Sequence, residues 1–354
     1  MRNCEHMSVT LGSKKSSSRR KMPRAANQSE IARMAGVSIS TVSRALSNSP
    51  GISDGLRQQI QGLAREVGYQ TRGVLGLGTQ TIRTYVTAHL VSGGLVSFYS
   101  QVVEGMKAAA AVAGIELEVR LVQDTLDPQR ILRDEAHLPT AATLLVGVDL
   151  TPELRAHWAK AAPAILVNTF DPEQQFDCVG PNNFYGAAQA THQLLAAGHR
   201  HILHLRDQIR WTTLQREYGF RNAVGAVPEA TAQVVDIATG DAVLTRLAQE
   251  RAAGKTQWTG VFAVHDNAAI RFIHALEDAG LRVPRDVSVI GFDDLPAAAV
   301  MTPRLTTMRV DTDAIGREAI ALLLRRIGEP DACRLQIECG VTAVDGATIR
   351  KLPH

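Results

Sequence analysis

The sequence lacks the features that mark secreted, disulfide-stabilised and membrane-spanning proteins. Its 354 residues include only four cysteines. These show no C-x-x-C pairing, which indicates isolated thiols rather than disulfides or a zinc site. No uncharged apolar run approaches the roughly 18 residues that a membrane span needs. The first 26 residues lack the apolar core of a signal peptide. We therefore expect a cytoplasmic protein that has no membrane partner.

Acidic residues are scarce at the amino-terminal end. Residues 1–26 carry seven lysines and arginines against one glutamate, and residues 27–72 carry five arginines against three acids. The whole chain has a net charge of +3, so about −5 remains for the other 282 residues. Basic charge concentrated at one end points to a polyanionic partner. For residues 1–26 alone, a solvated tail without folded structure is the favoured interpretation, and Met7 or Met22 is an alternative start.

Residues 27–72 show the pattern of three short helices. Asn27, Ser38 and Ser53 are suitable N-caps, and Gly36 provides the permissive backbone that a tight turn needs. The apolar residues that recur at helical spacing are Ile31, Ala32, Ala35, Val42, Ala45, Leu46, Leu56, Ile60, Leu63, Ala64 and Val67. Three short helices bury little surface, so the pattern predicts a small domain.

The second of these helices exposes short hydroxyls and one arginine, and the chain has no acid from residue 31 to residue 53. Such a face can enter the major groove of DNA, where arginine contacts guanine and hydroxyls reach phosphates or base edges. A helical hairpin whose polar face only meets water explains the same pattern. The pattern alone leaves both interpretations open.

From Thr84 onward, short apolar runs alternate with amphipathic segments. Strands are predicted at 85–91, 115–122, 142–149, 163–169, 201–205, 260–266 and 287–294, and helices at 98–114, 128–137, 186–199 and 268–280. Strands interleaved with helices of this length indicate a parallel sheet with helices on both faces. About 260 residues of this pattern indicate two α/β lobes. Residues 228–259 show no clear pattern.

The stretch "IARMAGVSISTVSRALSNSPGISDGLRQQIQGLAREVGY" resembles the amino-terminal headpiece of the LacI-type (lactose/purine repressor) family of transcriptional regulators. That family's pattern runs A-G-V-S-x-x-T-V-S-R-x-L-N, then V-S, then R and a final G/N-Y. Later segments resemble the same family: "SFYSQVVEGMKAAAAVAG", "NNFYGAAQATHQLLAAGHRHI", "REYGFRNAV" and "DVSVIGFDDLPAAAVMTPRLTTMRVD". The resemblance covers nearly everything after residue 26.

The resemblance implies an all-α helix-turn-helix headpiece followed by a periplasmic-binding-protein-like α/β domain of two Rossmann-like lobes. We expect a basic tail at 1–26, the headpiece at 27–72, a hinge at 73–83, the two-lobed domain at 84–345 and a C-terminal tail at 346–354. Lobe 1 is expected at about 84–181 plus the segment after 307, and lobe 2 at about 182–307. The chain is then expected to cross between lobes near Asn182 and again near Thr307.

The resemblance also implies functional residues. Ile39, Ser40 and Arg44 correspond to family positions that face base edges, and Ser38, Thr41 and Ser43 to positions that contact phosphates. Phe98, Tyr99, Arg216, His265 and Asp293 correspond to positions in the cleft that binds a small effector. An arginine and an aspartate that converge from different loops suit a polyhydroxylated ligand, since one donates and the other accepts hydrogen bonds. A surface ion pair is the alternative interpretation of these two residues.

The sequence departs from the family pattern at three places. Residues 71–78 read "TRGVLGLG". The family position whose leucine inserts into the minor groove of DNA corresponds to Gly78 in this sequence, and Leu75 or Leu77 is the alternative inserting residue. Glycine weakens a helix by roughly 1 kcal/mol relative to alanine, so a hinge helix is disfavoured. Asn182 stands where aspartate is common. His265 replaces a frequent asparagine, which suggests a ligand other than a common hexose.

The resemblance implies a ligand-responsive repressor that binds double-stranded operator DNA as a homodimer, with no cofactor and no metal, associated with the nucleoid. The absence of a C-terminal leucine heptad makes a dimer the expected limit. The run "HRHILH" at 199–204 could be a metal site, but the family has G-H-R-x-I at this helix-to-strand junction. A two-lobed solute-binding protein and a sugar-processing enzyme are the competing classes. The sequence identifies neither the effector, nor the operator, nor whether the effector induces or co-represses.

Overall fold

Three helices form the amino-terminal part of the molecule: Gln28–Ala35 (α1), Ile39–Leu46 (α2) and Asp54–Glu66 (α3). This computed structural model describes residues 28–46, 51–66, 81–87, 97–122, 131–133, 135, 140–160, 162–207 and 210–353. The tail predicted at 1–26 and the candidate wedge residues Leu75, Leu77 and Gly78 lie outside the described residues. The chain divides into two compact units, residues 1–76 and 77–354.

The three helices enclose a small apolar core of their own. Ile31, Val42 and Ile60, one from each helix, are fully buried. The turn between α1 and α2 takes a left-handed backbone at Gly36 (φ 68°), a conformation that glycine adopts without steric cost. Ser53 begins α3 as predicted, since its hydroxyl accepts a hydrogen bond from the Leu56 N–H at 3.4 Å. Local sequence signals are therefore sufficient to place these helices.

The second unit alternates strands and helices. Its strands are Thr81–Thr87 (β1), Glu116–Val122 (β2), Thr143–Val146 (β3), Ala164–Val167 (β4), Asp177–Pro181 (β5), His201–Arg206 (β6), Thr231–Asp236 (β7), Gly260–Ala263 (β8), Ser288–Ile290 (β9), Thr307–Val310 (β10), Gln336–Cys339 (β11) and Val341–Val344 (β12). Its helices are Phe98–Ala113 (α4), Pro152–Trp158 (α5), Asn183–Ala196 (α6), Trp211–Gly225 (α7), Asp241–Ala252 (α8), Asp266–Asp278 (α9), Pro296–Val300 (α10) and Thr312–Gly328 (α11).

These strands form two parallel sheets, and each sheet is the centre of one lobe. Lobe 1 has a six-stranded sheet in the order β11-β5-β4-β3-β1-β2, and lobe 2 a four-stranded sheet in the order β7-β6-β8-β9. All pairs within the two sheets are parallel. Strands β10 and β12 pair antiparallel with each other. The predicted two-lobed α/β fold is confirmed.

The chain crosses between lobes three times, whereas two crossings were expected. It leaves lobe 1 after β5 and returns with α11 and β11, which pairs with β5. It then leaves again at Gly340, because β12 pairs with β10 on the lobe 2 side. The C-terminal tail expected at 346–354 has no helix or strand over the described residues 346–353, but it is packed against lobe 2. Thr348 is fully buried, and its hydroxyl donates to the Val289 carbonyl and accepts from the Thr306 N–H.

The first strand of the second unit begins before residue 84, where the two-lobed domain was expected to start. Strand β1 begins at Thr81, so its first three residues fall within the predicted hinge at 73–83, of which 73–80 are outside the described residues. The sequence pattern did not predict the start of this strand, because "TIRT" contains polar residues. Arg83 is nevertheless buried in the strand, where Glu118 and Glu135 neutralise its charge. Residues 131–133 and 135 of the predicted helix at 128–137 are helical. Strand β7 and helix α8 occupy the stretch that showed no clear pattern.

Helices α6 and α7 cross closely because a glycine lies at their contact. A Cβ atom on Gly219 would overlap the carbonyl oxygen of Phe184. Gly316 plays the same part where α11 crosses α4, since a Cβ there would overlap the backbone of Gly105. The close contact between the two helices thus explains why a glycine stands in the "REYGF" motif.

We expect Gly219→Ala to lower the free energy of unfolding by about 1–3 kcal/mol or more, because backbone must move to admit the methyl group. Gly225 lies on the same helix and has no atom within 4 Å of its Cβ position. Gly225→Ala is the matched control, and it should be neutral or stabilising, by at most about 1 kcal/mol. Urea denaturation of both variants measures the difference. Equal stabilities of the two variants would contradict the close crossing.

Candidate functional site

The first candidate surface is the exposed face of α2. Ile39 has half of its surface exposed, and Ser40 and Arg44 are exposed beside it. The opposite face of the helix buries Val42 and Ala45 in the core of the three-helix unit. The helical period thus separates a core face from a face with one guanidinium, a hydroxyl and an apolar side chain.

The three predicted phosphate-contacting residues have different surroundings. Ser38 caps α2: its hydroxyl accepts from the Thr41 N–H at 3.1 Å and lies 2.8 Å from the Ser40 and Thr41 hydroxyls. Thr41 is half-buried. Ser43 lies on α2, but its side chain is outside the described part of the structure. Ser38 therefore positions the helix end in addition to any role at a phosphate.

Arg44 lies beside the turn that precedes α3. A Cβ atom on Gly51 would be 2.9 Å from Nη2 of Arg44, so the guanidinium passes close to this glycine. The backbone of Gly51 has a φ of 88°, which also favours glycine. The close approach makes residue 51 part of the surroundings of the arginine, and both properties favour glycine there.

The second candidate site lies in lobe 2, at the carboxyl ends of β8 and β9. The guanidinium of Arg216, on α7, donates to Asn183 Oδ1 at 2.8 Å, to the Val264 carbonyl at 2.6 Å and to Asp293 Oδ1 at 3.1 Å. It also lies 3.8 Å from the centre of the Phe292 ring. Arg216 and Asp293 are 5% and 8% exposed. The structure brings these two predicted residues together, as a buried ion pair and not a surface one.

Asp293 is held in an unusual backbone conformation. Its φ is 109°, and its N–H donates to the Met308 carbonyl at 2.7 Å, so strand β10 fixes its position. Burial raises the pKa of the Asp293 carboxyl, and the nearby charges of Arg216 and His265 oppose that rise. Residues held in sparsely populated backbone conformations cluster at functional sites.

The remaining predicted cleft residues contact partners of their own. His265 caps α9, since its Nδ1 accepts from the Ala268 N–H at 3.0 Å, and its Nε2 lies 3.1 Å from Asp207 Oδ2. In lobe 1, Phe98 and Tyr99 open α4 with their rings edge to face at 5.2 Å. The Tyr99 hydroxyl accepts from Asn168 Nδ2 at 2.7 Å. Asn182 caps α6 by accepting from the Tyr185 N–H at 3.0 Å.

Sequence reasoning missed Arg210, which connects the two lobes. From the start of α7 in lobe 2, its guanidinium donates to three groups of lobe 1: the Asp149 carboxylate at 3.1 Å, the Gly147 carbonyl at 2.9 Å and the Tyr99 hydroxyl at 2.7 Å. Beside it, the rings of Phe170 and Trp211 stack across the lobes at 4.2 Å. The sequence could have indicated Arg210, because residue 210 follows a predicted parallel strand, at the sheet edge where α/β proteins bind ligands.

A cleft of about 300 Å³ opens between the lobes at this point. The described residues that line it are Asn168, Thr169, Phe170, Cys178, Val179, Gly180, Pro181, Asn183, Trp211, Thr212, Gln215, Gln336, Ile337 and Glu338. None of the five cleft residues that the resemblance implied is among them. Arg216 reaches it only through Asn183, which lines the cleft and accepts from the guanidinium. Its size and its mixed polar and aromatic walls suit a small polar ligand.

The histidines of "HRHILH" have structural partners. His199 Nδ1 lies 2.8 Å from the Thr259 hydroxyl, and His204 Nδ1 lies 3.0 Å from the Phe262 carbonyl. Both residues are fully buried, and burial lowers the pKa of each imidazole to about 4. Among the residues that the structure describes, no group of three or more histidine, cysteine or acidic side chains could hold a metal ion. Within the same residues, no helix is both long and apolar enough to cross a membrane.

Two family models match this chain. Residues 29–72 match the model of bacterial regulatory proteins of the lacI family, and residues 191–349 match that of the periplasmic binding protein-like domain. The first match contains the three helices except Gln28, and the second contains most of lobe 2 together with α11, β11 and β12.

Curated relatives and a solved structure match most of the chain. The transcriptional repressor PurR of Vibrio vulnificus is 28% identical over 333 residues, which cover 91% of this chain and 98% of that protein. The ribose operon repressor of Escherichia coli K12 is 26% identical over 326 residues, which cover 86% of this chain and 94% of that protein. The structure of the lac repressor dimer bound to operator and the anti-inducer ONPF matches with a TM-score of 0.68 at 19% identity, and covers 92% of this chain and all of that one.

Proposed function

Because this chain belongs to the LacI family of bacterial regulatory proteins, we propose that it is a transcriptional repressor that binds operator DNA with α2 and an effector in the cleft between its lobes. The observation that carries the proposal is the exposed face of α2, with Ile39, Ser40 and Arg44 in a stretch without acidic residues. The relative named ribose operon repressor supports a sugar or a related metabolite as the effector.

The proposal gives each unit its own task. The helix α2 enters the major groove with Ile39, Ser40 and Arg44 toward base edges, while Ser38, Thr41 and Ser43 lie toward phosphates. The two lobes bind the effector, with Arg216, Asp293, His265, Phe98 and Tyr99 supporting the cleft. We assign no catalytic step to the cleft. A protein that binds chromosomal operators in a bacterium works in the cytoplasm.

We propose that the protein acts as a homodimer on a pseudopalindromic operator, as the operator-bound dimer of the lac repressor suggests. Tethering two three-helix units makes the second DNA contact effectively intramolecular, which raises affinity without new contacts. Effector binding then changes operator affinity by a coupling free energy that is typically about 1–3 kcal/mol.

The experiment that tests DNA recognition is a gel shift with an operator selected from genomic fragments. Arg44→Ala should weaken binding to the selected operator by about 1–3 kcal/mol and weaken binding to random DNA much less. The reason is that a guanidinium paired with a guanine edge distinguishes bases, whereas phosphate contacts do not.

Arg33→Ala is the matched control, because Arg33 is an exposed arginine of the neighbouring helix α1 and its loss changes the net charge equally. Its effect should be similar on both DNAs. If Arg44→Ala weakens operator and random DNA equally, Arg44 is a phosphate contact and the assignment of its role is wrong.

A further inference from the structure

We propose that the carboxyl group of Asp266 holds a proton at neutral pH, and that loss of this proton at higher pH destabilises the two-lobed unit. The residue begins α9 in lobe 2, and the DNA and effector contacts proposed above do not use it. The inference does not depend on the proposed function, because it concerns the folded state of lobe 2 alone.

The carboxyl group of Asp266 is fully buried where α9 meets the loop that follows β9. The Asp266 N–H donates to the Phe292 carbonyl at 2.8 Å, which ties the start of the helix to this loop. The side chain packs closely against Gly291, where a Cβ atom would overlap Oδ1 of Asp266. Protein backbone thus surrounds a group that ordinarily needs solvent when it is ionised.

Among the described residues, the carboxyl group has only uncharged hydrogen-bond partners. Its Oδ2 accepts from the Leu295 N–H at 2.7 Å, and its Oδ1 lies 2.5 Å from the Thr307 hydroxyl. No lysine, arginine or histidine side chain that the structure describes forms an ion pair with Asp266. A neutral carboxyl group is compatible with both contacts, because one oxygen accepts and the protonated one can donate to a hydroxyl.

The charged groups around Asp266 are mainly acidic. Asp293 and Asp294 lie in the loop after β9, and the charge of each disfavours a second negative charge on Asp266. The nearby cations already have partners: Arg216 pairs with Asp293 at 3.1 Å, and Arg309 pairs with Asp294 at 2.6 Å. If all three carboxyl groups were ionised, three negative charges would therefore face two positive ones.

The remaining titratable neighbour is His265, which precedes Asp266 in the chain. Its Nε2 lies 3.1 Å from Asp207 Oδ2, and its Nδ1 accepts from the Ala268 N–H at 3.0 Å. An imidazole that accepts at Nδ1 carries its proton on Nε2 and is neutral. In this arrangement His265 provides no positive charge to Asp266.

Two effects favour ionisation of Asp266, and they are the weaker ones. The start of a helix favours a negative charge. The hydrogen bonds from Thr307 and Leu295 also act to lower the pKa of the carboxyl group. Burial is the largest effect and the charge of Asp293 the next, and together they raise the pKa of Asp266 well above its ordinary value.

A raised pKa in the folded state links stability to pH with a defined sign. The proton contributes its full stability below about pH 4, the ordinary pKa of an aspartate in an unfolded chain. That contribution is lost as the pH rises toward the raised pKa of the folded state. Ionisation then places a second negative charge beside the Arg216–Asp293 pair, so pH acts on the loop that holds Asp293.

The test compares the unfolding of the full-length wild-type protein with that of Asp266→Asn. Asparagine has the shape of the neutral acid and still accepts from the Leu295 N–H, but it does not titrate. Urea denaturation followed by tryptophan fluorescence gives the unfolding constant of each protein from about pH 5 to about pH 7. The ratio of the wild-type constant to the variant constant should rise about tenfold per pH unit, the slope for one proton released on unfolding.

Asp241→Asn is the matched control. Asp241 is also the first residue of its helix, α8, but its side chain is 73% exposed and pairs with Arg271. An exposed aspartate is already ionised throughout this pH range in both the folded and the unfolded state. The ratio of the wild-type constant to that of Asp241→Asn should therefore change by less than about twofold.

A second measurement detects the proton directly. At neutral pH the infrared spectrum should contain the carbonyl band of a protonated carboxylic acid, which shifts when aspartate is isotope-labelled and disappears in Asp266→Asn. If Asp266→Asn does not fold, Asp266→Ser removes the same carboxyl group and replaces it in both measurements.

Three results would overturn the inference. One is a ratio of wild-type to Asp266→Asn unfolding constants that stays the same across the pH range. Another is the absence of the infrared band from the wild-type protein. The third is a band that persists in Asp266→Asn and disappears in Asp293→Asn, because the proton would then reside on Asp293.

Discussion

Arg216→Met will lower the free energy of unfolding of the two-lobed unit by about 3–5 kcal/mol, because it leaves a buried carboxylate without its partner. The substitution also leaves the Asn183 side-chain oxygen and the Val264 carbonyl without their donor. The ion pair is buried on both sides, with 7% side-chain exposure for each partner. Urea denaturation followed by tryptophan fluorescence measures this unit alone, because Trp158, Trp211 and Trp258 all lie within residues 77–354.

The double variant Arg216→Met/Asp293→Asn is the control for charge. Asparagine tolerates the positive φ of residue 293 and removes the uncompensated carboxylate. We expect it to recover about 0.5–3 kcal/mol relative to Arg216→Met. If it recovers nothing, lost packing and not the buried charge explains the destabilisation.

The same variants test the effector site at temperatures where they remain folded. DNA binding without effector should persist, because the three-helix unit has its own core. Arg216→Met and Asp293→Asn should reduce effector affinity by about 1–3 kcal/mol, since buried polar groups of the site lose their partners. A normal effector response in both variants would place the ligand elsewhere.

Asp177→Ala will lower the free energy of unfolding of the same unit by about 3–5 kcal/mol, because Arg326 is left as an uncompensated buried charge. Asp177 accepts from Arg326 Nε at 2.7 Å, from its Nη2 at 3.1 Å and from the Leu335 N–H at 2.8 Å. The two side chains are 1% and 5% exposed. These bonds connect β5 to α11 and to the segment that leads into β11.

Arg271→Ala is the matched control for that prediction. Arg271 pairs with Asp241 at 2.7 Å, but the two side chains are 38% and 73% exposed. An exposed pair of this kind contributes at most about 1 kcal/mol. If both substitutions cost the same, burial does not set the strength of the Asp177–Arg326 pair.

Particular residues show how far sequence reasoning reached. The pairing of Arg216 with Asp293 is in accord with the convergence that two distant motifs implied. Arg210 was missed because its importance depends on Asp149, Gly147 and Tyr99, which come from three separate places in lobe 1. The packing of the segment after residue 345 was not anticipated, because Thr348 is buried through contacts with Val289 and Thr306, which no local pattern records.

The sequence by itself determined the three helices and the alternating α/β pattern, because caps, turns and apolar periodicity are local properties of the chain. The resemblance to the LacI family rested instead on its motifs. Only the tertiary structure decided which charges neutralise each other. Arg210 and Asp149 lie 61 residues apart, and Arg326 and Asp177 lie 149 residues apart. Charge pairing depends on distance in space and on burial, and both are set by the tertiary fold, so these pairs could be found only in the folded molecule.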